Sequence, residues 1–250
     1  MSVSSTSALS LAIDKPIYGV NHLSAHIAVD ILDTNKELKP AIALLVSGGH
    51  SSILQVNNLT NDVALMGATI DDAAGEAFDK VARIMGLGFP GGPIIDIEAK
   101  SGNAEMIKFP RGLTQASDMQ KHQFDFSFSG LKTAVLRYLE QTSNYKKADV
   151  AASFQEAVVD VLVSKSLSAC KQRGINRLVI AGGVAANSRL RQLAIDRCAA
   201  AQVELSIPPA ALCTDNGAMV AALGSLAINE GLAPSQVGIS ADSAAEISRV

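Results

Sequence analysis

Two histidines one helical turn apart, in "GVNHLSAHIAVDIL" (residues 19–32), have the residue type and spacing of a metal-ligand pair. If the segment is helical, His22 and His26 lie on one face, as two ligands of one ion must. The same spacing is common in ordinary helices with structural histidines, so it leaves both interpretations open. A metal site needs a third ligand, and the candidates are Asp71, Asp72, Asp79 and Asp215.

Asp215 differs from the other three aspartates in its position. It stands in "CTDNG", at the predicted start of a helix, where a carboxylate is presented at the end of an element. An aspartate at a helix start is more often an N-cap than a ligand. Position 23 is leucine, so the helix does not form HExxH and lacks the glutamate base of a metalloprotease.

Three glycine clusters, "SGGHS", "PGGP" and "AGGVAAN", could each turn backbone N–H groups toward an anion. None matches GxxxxGK[ST] or GxGxxG, which disfavours a Walker or Rossmann site. Each cluster alone is more typical of a turn than of a phosphate site. Because two of the three follow predicted strands, together they favour a nucleotide cleft.

The elements that would position these residues can be predicted from apolar periodicity. Residues 40–56 predict a hairpin with its tip at Ser47–Ser51, and the next helix would be capped by Asp71 or Asp72 and end at Gly86. Residues 101–123 show no periodicity and predict an irregular excursion. The alternating Phe124, Phe126 and Phe128 predict a strand with one buried face.

The second half of the chain predicts mainly helices. One should begin at Ser129 or Gly130, and another should span about 149–173. "INRLVIAGGVAANSRLRQ" predicts a strand, a glycine loop and a helix capped by Asn187 or Ser188. The last helix would be capped by Thr214 or Asp215.

Composition favours an α/β protein. Of the 250 residues, 48% are hydrophobic but only 4% aromatic, and this aliphatic stock suits parallel strands buried between helices. The net charge of −3 neither supports nor excludes RNA as a partner. The three cysteines form no CxxC pair, and no targeting or membrane-spanning segment is evident, so a cytoplasmic protein with free thiols is expected.

Six ordered motifs between about Val3 and Ala233 resemble the bacterial tRNA N6-adenosine threonylcarbamoyltransferase family, whose members were once labelled glycoprotein endopeptidases. The motifs are "VNHLSAHI", "LLVSGGHSS", "IDDAAGEAFDKVARIMGLGFPGGP", "FDFSFSGLKTAV", "VIAGGVAANSRLR" and "CTDNGAMVA". The resemblance implies an actin/Hsp70-like fold with two ribonuclease-H-like lobes. On this basis residues 1–39 would be the remnant of the first lobe, 40–213 the second lobe, and 214–250 a helix returning to the first.

The implied activity is transfer of the threonylcarbamoyl group from threonylcarbamoyl-AMP to N6 of the adenosine 3′ of the anticodon, in tRNAs reading codons that begin with A. The implied partners are tRNA, a degenerate paralogue, a small ATPase, and the synthase that makes the adenylate. Family members begin several dozen residues earlier, with a hairpin of the form "GIETSCDET". A non-catalytic partner-binding subunit is therefore an alternative, and a metalloprotease is a remote one.

The resemblance also implies roles for individual residues. His22, His26 and Asp215 correspond to the metal ligands, and one Fe²⁺ per subunit is expected, although two histidines and a carboxylate also suit Zn²⁺. His50 is a weak candidate for a general base. The positions that correspond to contacts with the adenine-nucleotide substrate are Leu45, Val46, Ser47, Gly48, Gly49, Asp79, Gly92 and Asn187.

Overall fold

The computed structural model describes residues 2–34, 39–236 and 238–242. Within these ranges the helices are α1 (Ser2–Ala12), α2 (His22–Thr34), α3 (Ala74–Ile84), α4 (Gly91–Ala99), α5 (Ala116–Lys121), α6 (Ser129–Gln141), α7 (Lys147–Arg173), α8 (Ser188–Ala201) and α9 (Gly217–Asn229). The strands are β1 (Ala41–Val46), β2 (Ser51–Asn58), β3 (Asp62–Ala68), β4 (Arg177–Ala181) and β5 (Glu204–Ser206). Short 3-10 turns lie at Gly183–Ala186 and Ala210–Leu212.

The five strands form one mixed sheet in the order β3-β2-β1-β4-β5. β2 is antiparallel to both β1 and β3, whereas β4 is parallel to β1 and β5 is parallel to β4. The hairpin predicted over residues 40–56 is therefore confirmed, and its turn spans residues 47–50. β3 extends the hairpin to three strands and was not predicted.

The central strand β1 is buried on both faces, which explains its uninterrupted apolar sequence. Ile42, Leu44 and Val46 face the larger core, which α3, α7 and α8 complete. The alternate residues Ala41, Ala43 and Leu45 face a smaller core formed with α2 and α9. The sheet thus carries helices on both faces, with α2 and α9 packed together on one of them.

The helices α2 and α9 come from the first and third of the expected segments, 1–39 and 214–250. They pack on the sheet that residues 40–213 build. Residues 1, 35–38, 237 and 243–250 lie outside the described residues. The division into lobes stays a prediction.

Several local predictions agree with the structure. α6 begins at Ser129, α7 covers the predicted long helix, and Asn187 caps α8 by accepting a hydrogen bond from the Leu190 N–H at 2.9 Å. Residues 101–123 are largely irregular, with the short α5 inside them.

The strand expected at Phe124–Phe128 was wrong. All three phenylalanines are buried, as the alternation predicted, but only one isolated bridge forms there, between Thr69 and Phe126. The capping prediction for α3 was also wrong, because Ala73 occupies the N-cap position. Asp71 instead caps α6, accepting hydrogen bonds from the Phe128 N–H at 2.9 Å and from the hydroxyls of Ser127 and Ser129 at 2.6 Å each.

A buried ion pair fixes α2 to the sheet. Nη2 of Arg177, on β4, lies 2.5 Å from Oδ2 of Asp30, and the two side chains are 5% and 2% exposed. The other carboxylate oxygen of Asp30 accepts a hydrogen bond from Ser206 on β5. Asp30 stands four and eight residues beyond His26 and His22, so one face of α2 carries all three side chains.

We predict that Arg177→Met lowers the free energy of unfolding by about 3–5 kcal/mol, because the buried carboxylate of Asp30 loses its positively charged partner. Urea denaturation measures the loss. Arg173→Met, at the exposed end of α7, is the matched control and should change stability by about 0.5 kcal/mol or less. Similar small losses in both variants would contradict this role of the ion pair.

We predict that Asp71→Ala costs about 1 kcal/mol at neutral pH, the usual contribution of a cap. Burial alone would raise the pKa of Asp71, but the hydrogen bonds from Ser127, Ser129 and the Phe128 N–H outweigh it and lower that pKa. A lowered folded-state pKa stabilises above the unfolded-state pKa, and the stabilisation is lost as pH falls through the folded-state value. The difference from the unaltered chain should therefore shrink in acid, and an equal difference in denaturation at neutral and acid pH would contradict the assignment.

Candidate metal centre and substrate cleft

The two helices that carry the expected metal ligands begin side by side. α2 begins at His22 because Oδ1 of Asn21 accepts the N–H groups of Leu23 and Ser24 at 2.9 and 3.1 Å. α9 begins at Gly217 because Oδ1 of Asn216 accepts the Met219 N–H at 2.9 Å. The expectation that Thr214 or Asp215 caps α9 was therefore wrong. Because Asn216 is the cap, the carboxylate of Asp215 remains available for the histidines.

The structure brings His22, His26 and Asp215 together. Oδ1 of Asp215 lies 3.0 Å from Nε2 of His26 and 3.6 Å from Nε2 of His22. The histidine rings meet edge to face, with centroids 4.8 Å apart. Among the described residues, this is the group of three or more His, Cys, Asp or Glu side chains that could hold a metal ion, with ligand atoms all within 4.8 Å of one another.

These distances fit a bound transition-metal ion. Ligand atoms that surround one ion at about 2.1 Å lie about 3.0–3.4 Å from one another. The separations of Asp215 Oδ1 from His26 and His22, 3.0 and 3.6 Å, are close to this range. His26 is 3% exposed, whereas His22 and Asp215 are 53% and 75% exposed, so the centre opens to one side. Two imidazoles and one carboxylate with an open side form a set that suits Fe²⁺ or Zn²⁺.

The protonation of His26 also favours ligation. Burial lowers its pKa, and the neighbouring His22 lowers it further, against the opposing effect of Asp215. The neutral imidazole is the form that binds metals. Nδ1 of His26 is buried without a hydrogen-bond partner in the part of the chain that the structure describes.

The other three candidate aspartates are committed elsewhere. Asp71 caps α6, and Asp72 pairs with Lys80 at 2.5 Å and Lys132 at 3.3 Å. Oδ1 of Asp79 accepts the N–H of Gly91 at 2.7 Å and so fixes the start of α4 against α3. The structure therefore favours Asp215 as the third ligand, a choice that spacing alone could not make.

A cleft of about 540 Å³ lies beside the metal ligands. Four of the expected substrate contacts line it: Gly48, Asp79, Gly92 and Asn187. Thr214, the residue before Asp215, lines it too, whereas none of the three candidate ligands is part of the lining. The volume is in the range of small-molecule sites.

Close main-chain packing shapes the cleft. A Cβ added at Gly75 would lie 2.5 Å from the carbonyl oxygen of Ser47, so glycine lets α3 approach the β1–β2 turn. At Gly182 the φ angle is +94°, and a Cβ would lie 2.3 Å from the carbonyl oxygen of Val46. Only glycine combines this positive φ angle with so close an approach to the main chain of β1.

The glycine turns expose unused hydrogen-bond donors. The N–H groups of Gly48, Gly49, Gly92 and Gly183 make no hydrogen bond to any residue that the structure describes. Three of these glycines line the cleft, Gly49 being the exception. Free backbone N–H groups in such turns bind anions, including phosphate.

The remaining expected site residues have different environments. Leu45 and Val46 are fully buried in the two cores, so their side chains cannot touch a molecule in the cleft. Ser47 shapes the turn, since its hydroxyl accepts the N–H of His50 at 3.1 Å. His50 is exposed and close enough to His26 to affect its pKa.

The sequence prediction missed the residues that support Asn187. Nδ2 of Asn187 donates to Oε1 of the buried Gln155, on α7, at 2.7 Å. The side chain of Asn187 is therefore held at both ends, by Gln155 and by the Leu190 N–H. In the sequence, Gln155 has the apolar residues Ala151, Ala152, Val158 and Val159 one turn away on either side, and this pattern could have identified it as a buried polar residue.

Solved structures define the fold class. The chain superimposes on HypF of T. kodakarensis with a TM-score of 0.68 and 16% identity, over 93% of this chain and 40% of that one. A full-length HypF in a phosphate- and nucleotide-bound form gives a TM-score of 0.71 at 16% identity, over 91% and 46% of the two chains. The chain thus spans less than half of each HypF, and the likeness concerns the fold alone. The expected α/β class is confirmed, and the likeness to HypF is consistent with the expected actin/Hsp70-like type.

Sequence comparisons define the family. The model of the TsaD family, tRNA N6-adenosine threonylcarbamoyltransferase, matches residues 1–222. A Corynebacterium diphtheriae protein with that name is 52% identical over 249 residues, which are 98% of this chain and 71% of that protein. The chain belongs to this family of tRNA-modifying transferases of the acyltransferase type.

In the described residues, no helix combines the length and the apolar character needed to cross a membrane.

Leu23, between the two histidines, packs against the smaller core. Because position 23 is leucine, α2 has no glutamate at the position where a HExxH protease carries its general base.

We predict that the unaltered chain binds one Fe²⁺ or Zn²⁺, and that His26→Ala and Asp215→Asn each weaken binding at least tenfold by removing a ligand. Chelator competition, with metal analysis after anaerobic dialysis, measures the affinity. Asp71→Asn is the control, because Asp71 caps a distant helix start and should leave metal binding unchanged. Wild-type affinity in both ligand variants would exclude this centre.

Proposed function

We propose that the chain transfers the threonylcarbamoyl group from threonylcarbamoyl-AMP to N6 of the adenosine 3′ of the anticodon, in tRNAs reading codons that begin with A. The observation that carries the proposal is the cluster of His22, His26 and Asp215, with the adjacent Thr214 lining a glycine-rich cleft, in a chain of this family. Threonylcarbamoyl-AMP has an anionic phosphate and a threonine carboxylate. The free N–H groups and the metal centre offer partners of matching charge for these two groups.

The reaction forms one bond and breaks another. N6 of the adenosine bonds to the carbamoyl carbon, the bond from that carbon to the phosphate oxygen of AMP breaks, and N6 loses a proton. The N–H groups of Gly48, Gly92 and Gly183 would hold the phosphate and stabilise the charge that grows on the departing AMP. Asn187 can offer its second amide hydrogen to the nucleotide, since Gln155 and Leu190 use the rest of its side chain.

His22, His26 and Asp215 would hold Fe²⁺, or Zn²⁺ in its place. When bound there, the ion supplies Lewis acidity toward an oxygen of the threonylcarbamoyl group. The exposed side of the centre, where His22 and Asp215 reach solvent, leaves room for that group. No covalent enzyme intermediate is required.

His50 remains a candidate for the general base. It stands in the β1–β2 turn, beside Gly49 and near His26, and its side chain is exposed. A base in this position could accept the N6 proton if tRNA enters from the open side of the centre.

The proposal includes the partners that the resemblance implies: tRNA, the adenylate synthase, a degenerate paralogue and a small ATPase. It also places the reaction in the cytoplasm. Cys170, Cys198 and Cys213 are all free and buried, which suits a reducing compartment.

The transfer assay combines this chain with Fe²⁺, the partner subunits, labelled threonylcarbamoyl-AMP and unmodified tRNA, and it quantifies modified adenosine by mass spectrometry. We predict that His22→Ala and Asp215→Ala each reduce transfer at least 100-fold. Asp196→Asn, on the exposed face of α8, is the control and should retain full transfer.

Two results would contradict the proposal. Unchanged transfer in both ligand variants would remove the metal centre from the reaction. Binding of the partner subunits without any modified adenosine, by the unaltered chain, would instead identify a non-catalytic partner-binding subunit.

A further inference from the structure

The loop that delivers Asp215 is held by one side chain from α8. Nη2 of Arg191 donates to the carbonyl oxygen of Pro208 at 2.5 Å and lies 3.4 Å from Sγ of Cys213. Residues 208–213 connect β5 to the metal ligand, since Cys213 is only two residues before Asp215. The guanidinium of Arg191 therefore contacts both ends of this loop.

The loop is also closed internally. Sγ of Cys213 lies 3.7 Å from the carbonyl oxygen of Pro208 and 3.5 Å from that of Pro209. The N–H of Leu212 donates to the carbonyl oxygen of Pro209 at 2.8 Å. The loop thus behaves as one unit, which Arg191 attaches to α8.

Arg191 stands one turn from a residue of the cleft. Its backbone N–H donates to the carbonyl oxygen of Asn187 at 3.2 Å, and Asn187 lines the cleft. Nε of Arg191 is buried and has no hydrogen-bond partner among the described residues, so the guanidinium is directed into the protein rather than to solvent. One side chain thereby links the cleft residue Asn187 to the loop of Asp215.

We propose that Arg191 is a positioning residue, which fixes the 208–213 loop so that Asp215 reaches His22 and His26. This inference rests on the proposed metal centre. Asp215 is 75% exposed, and its main chain is held on one side by the 208–213 loop. On the other side it is held by Asn216, which caps α9 and donates Nδ2 to the carbonyl oxygens of Thr214 at 2.8 Å and Leu212 at 3.4 Å. Outer partners that orient ligands typically change metal affinity 10- to 100-fold when they are removed.

Arg189, two residues earlier on α8, provides a matched control. Its guanidinium pairs with Glu156 of α7, with Nε–Oε2 at 2.5 Å and Nη2–Oε1 at 3.0 Å, and among the described residues its side chain makes no hydrogen bond to the loop. Replacing either arginine by methionine removes the same charge from the same helix. Only the change at position 191 removes the attachment of the loop to α8.

The test is Co²⁺ binding to the full 250-residue chain, followed by visible absorption, with thermal melts to show that each variant is folded. Arg191→Met should weaken Co²⁺ binding 10- to 100-fold and shift the absorption bands toward those of Asp215→Asn. Arg189→Met should stay within twofold of the unaltered chain. Arg191→Lys keeps the charge but can donate only to the carbonyl oxygen of Pro208, so its Co²⁺ affinity should lie between those of the unaltered chain and Arg191→Met. If Arg191→Met does not fold, Arg191→Lys tests the positioning role in its place.

Unchanged Co²⁺ affinity and spectrum in folded Arg191→Met, or an equal loss in Arg189→Met, would overturn the positioning role while leaving the metal centre intact. Failure of the unaltered chain to bind Co²⁺ would overturn the proposed centre itself. The two failures are therefore distinguishable.

Discussion

The buried ion pair between Asp30 and Arg177 determines where the metal ligands can be. It attaches α2 to β4, and the Ser206 hydroxyl extends the attachment to β5. Because His22, His26 and Asp30 follow at intervals of four residues, fixing Asp30 also fixes the direction of both histidines. A buried pair of this kind contributes little net stability, but it permits few alternative arrangements once its partners are buried. The orientation of α2, more than its stability, depends on this pair.

The two cores lie on opposite faces of the sheet and support different parts of the candidate site. The larger core, with α3, α7 and α8, forms the cleft from glycine turns and main-chain N–H groups. The smaller core carries α2 and α9, whose first residues bring the ligands together. β1 joins the two, since alternate residues of this strand enter each core. The turn after β1 contributes Gly48 to the cleft and places His50 near His26.

Much of this arrangement could be predicted from sequence, and the failures have physical causes. β1 is an uninterrupted apolar run, α6 has an apolar stripe and α7 is a long helix rich in buried apolar residues, and all three were predicted correctly. β3 was missed because most of its residues are only half-buried, which leaves no alternating pattern. Phe124–Phe128 alternates as a strand does, yet its burial comes from side-chain packing and not from a hydrogen-bonded ladder.

Sequence patterns identified local neighbours in the site but not contacts between distant parts of the chain. His22 and His26 are local neighbours and were found from spacing, whereas Asp215 lies 189 residues beyond His26 and no local rule selects it. In the sequence, Asp71 and Asp215 could each be a helix cap or a ligand, and only the position of Asp215 in "CTDNG" distinguished it. The structure separates them because Asn216 caps α9, which leaves the carboxylate of Asp215 for the histidines, while the hydroxyls and N–H groups near Ser129 engage Asp71. The family resemblance supplied the third ligand that spacing could not.

The meeting of α2 and α9 at their first residues has an electrostatic consequence. Each helix places the positive end of its dipole at the ligand cluster, equivalent to about half an elementary charge per helix. A cation alone is disfavoured there, and the carboxylate of Asp215 offsets that repulsion only in part. An anion that joins the ion is attracted by both helix ends as well as by the ion. Cation and anion therefore favour each other's binding at this position, and the ion should be held more firmly when an anionic molecule fills the cleft than when the cleft is empty.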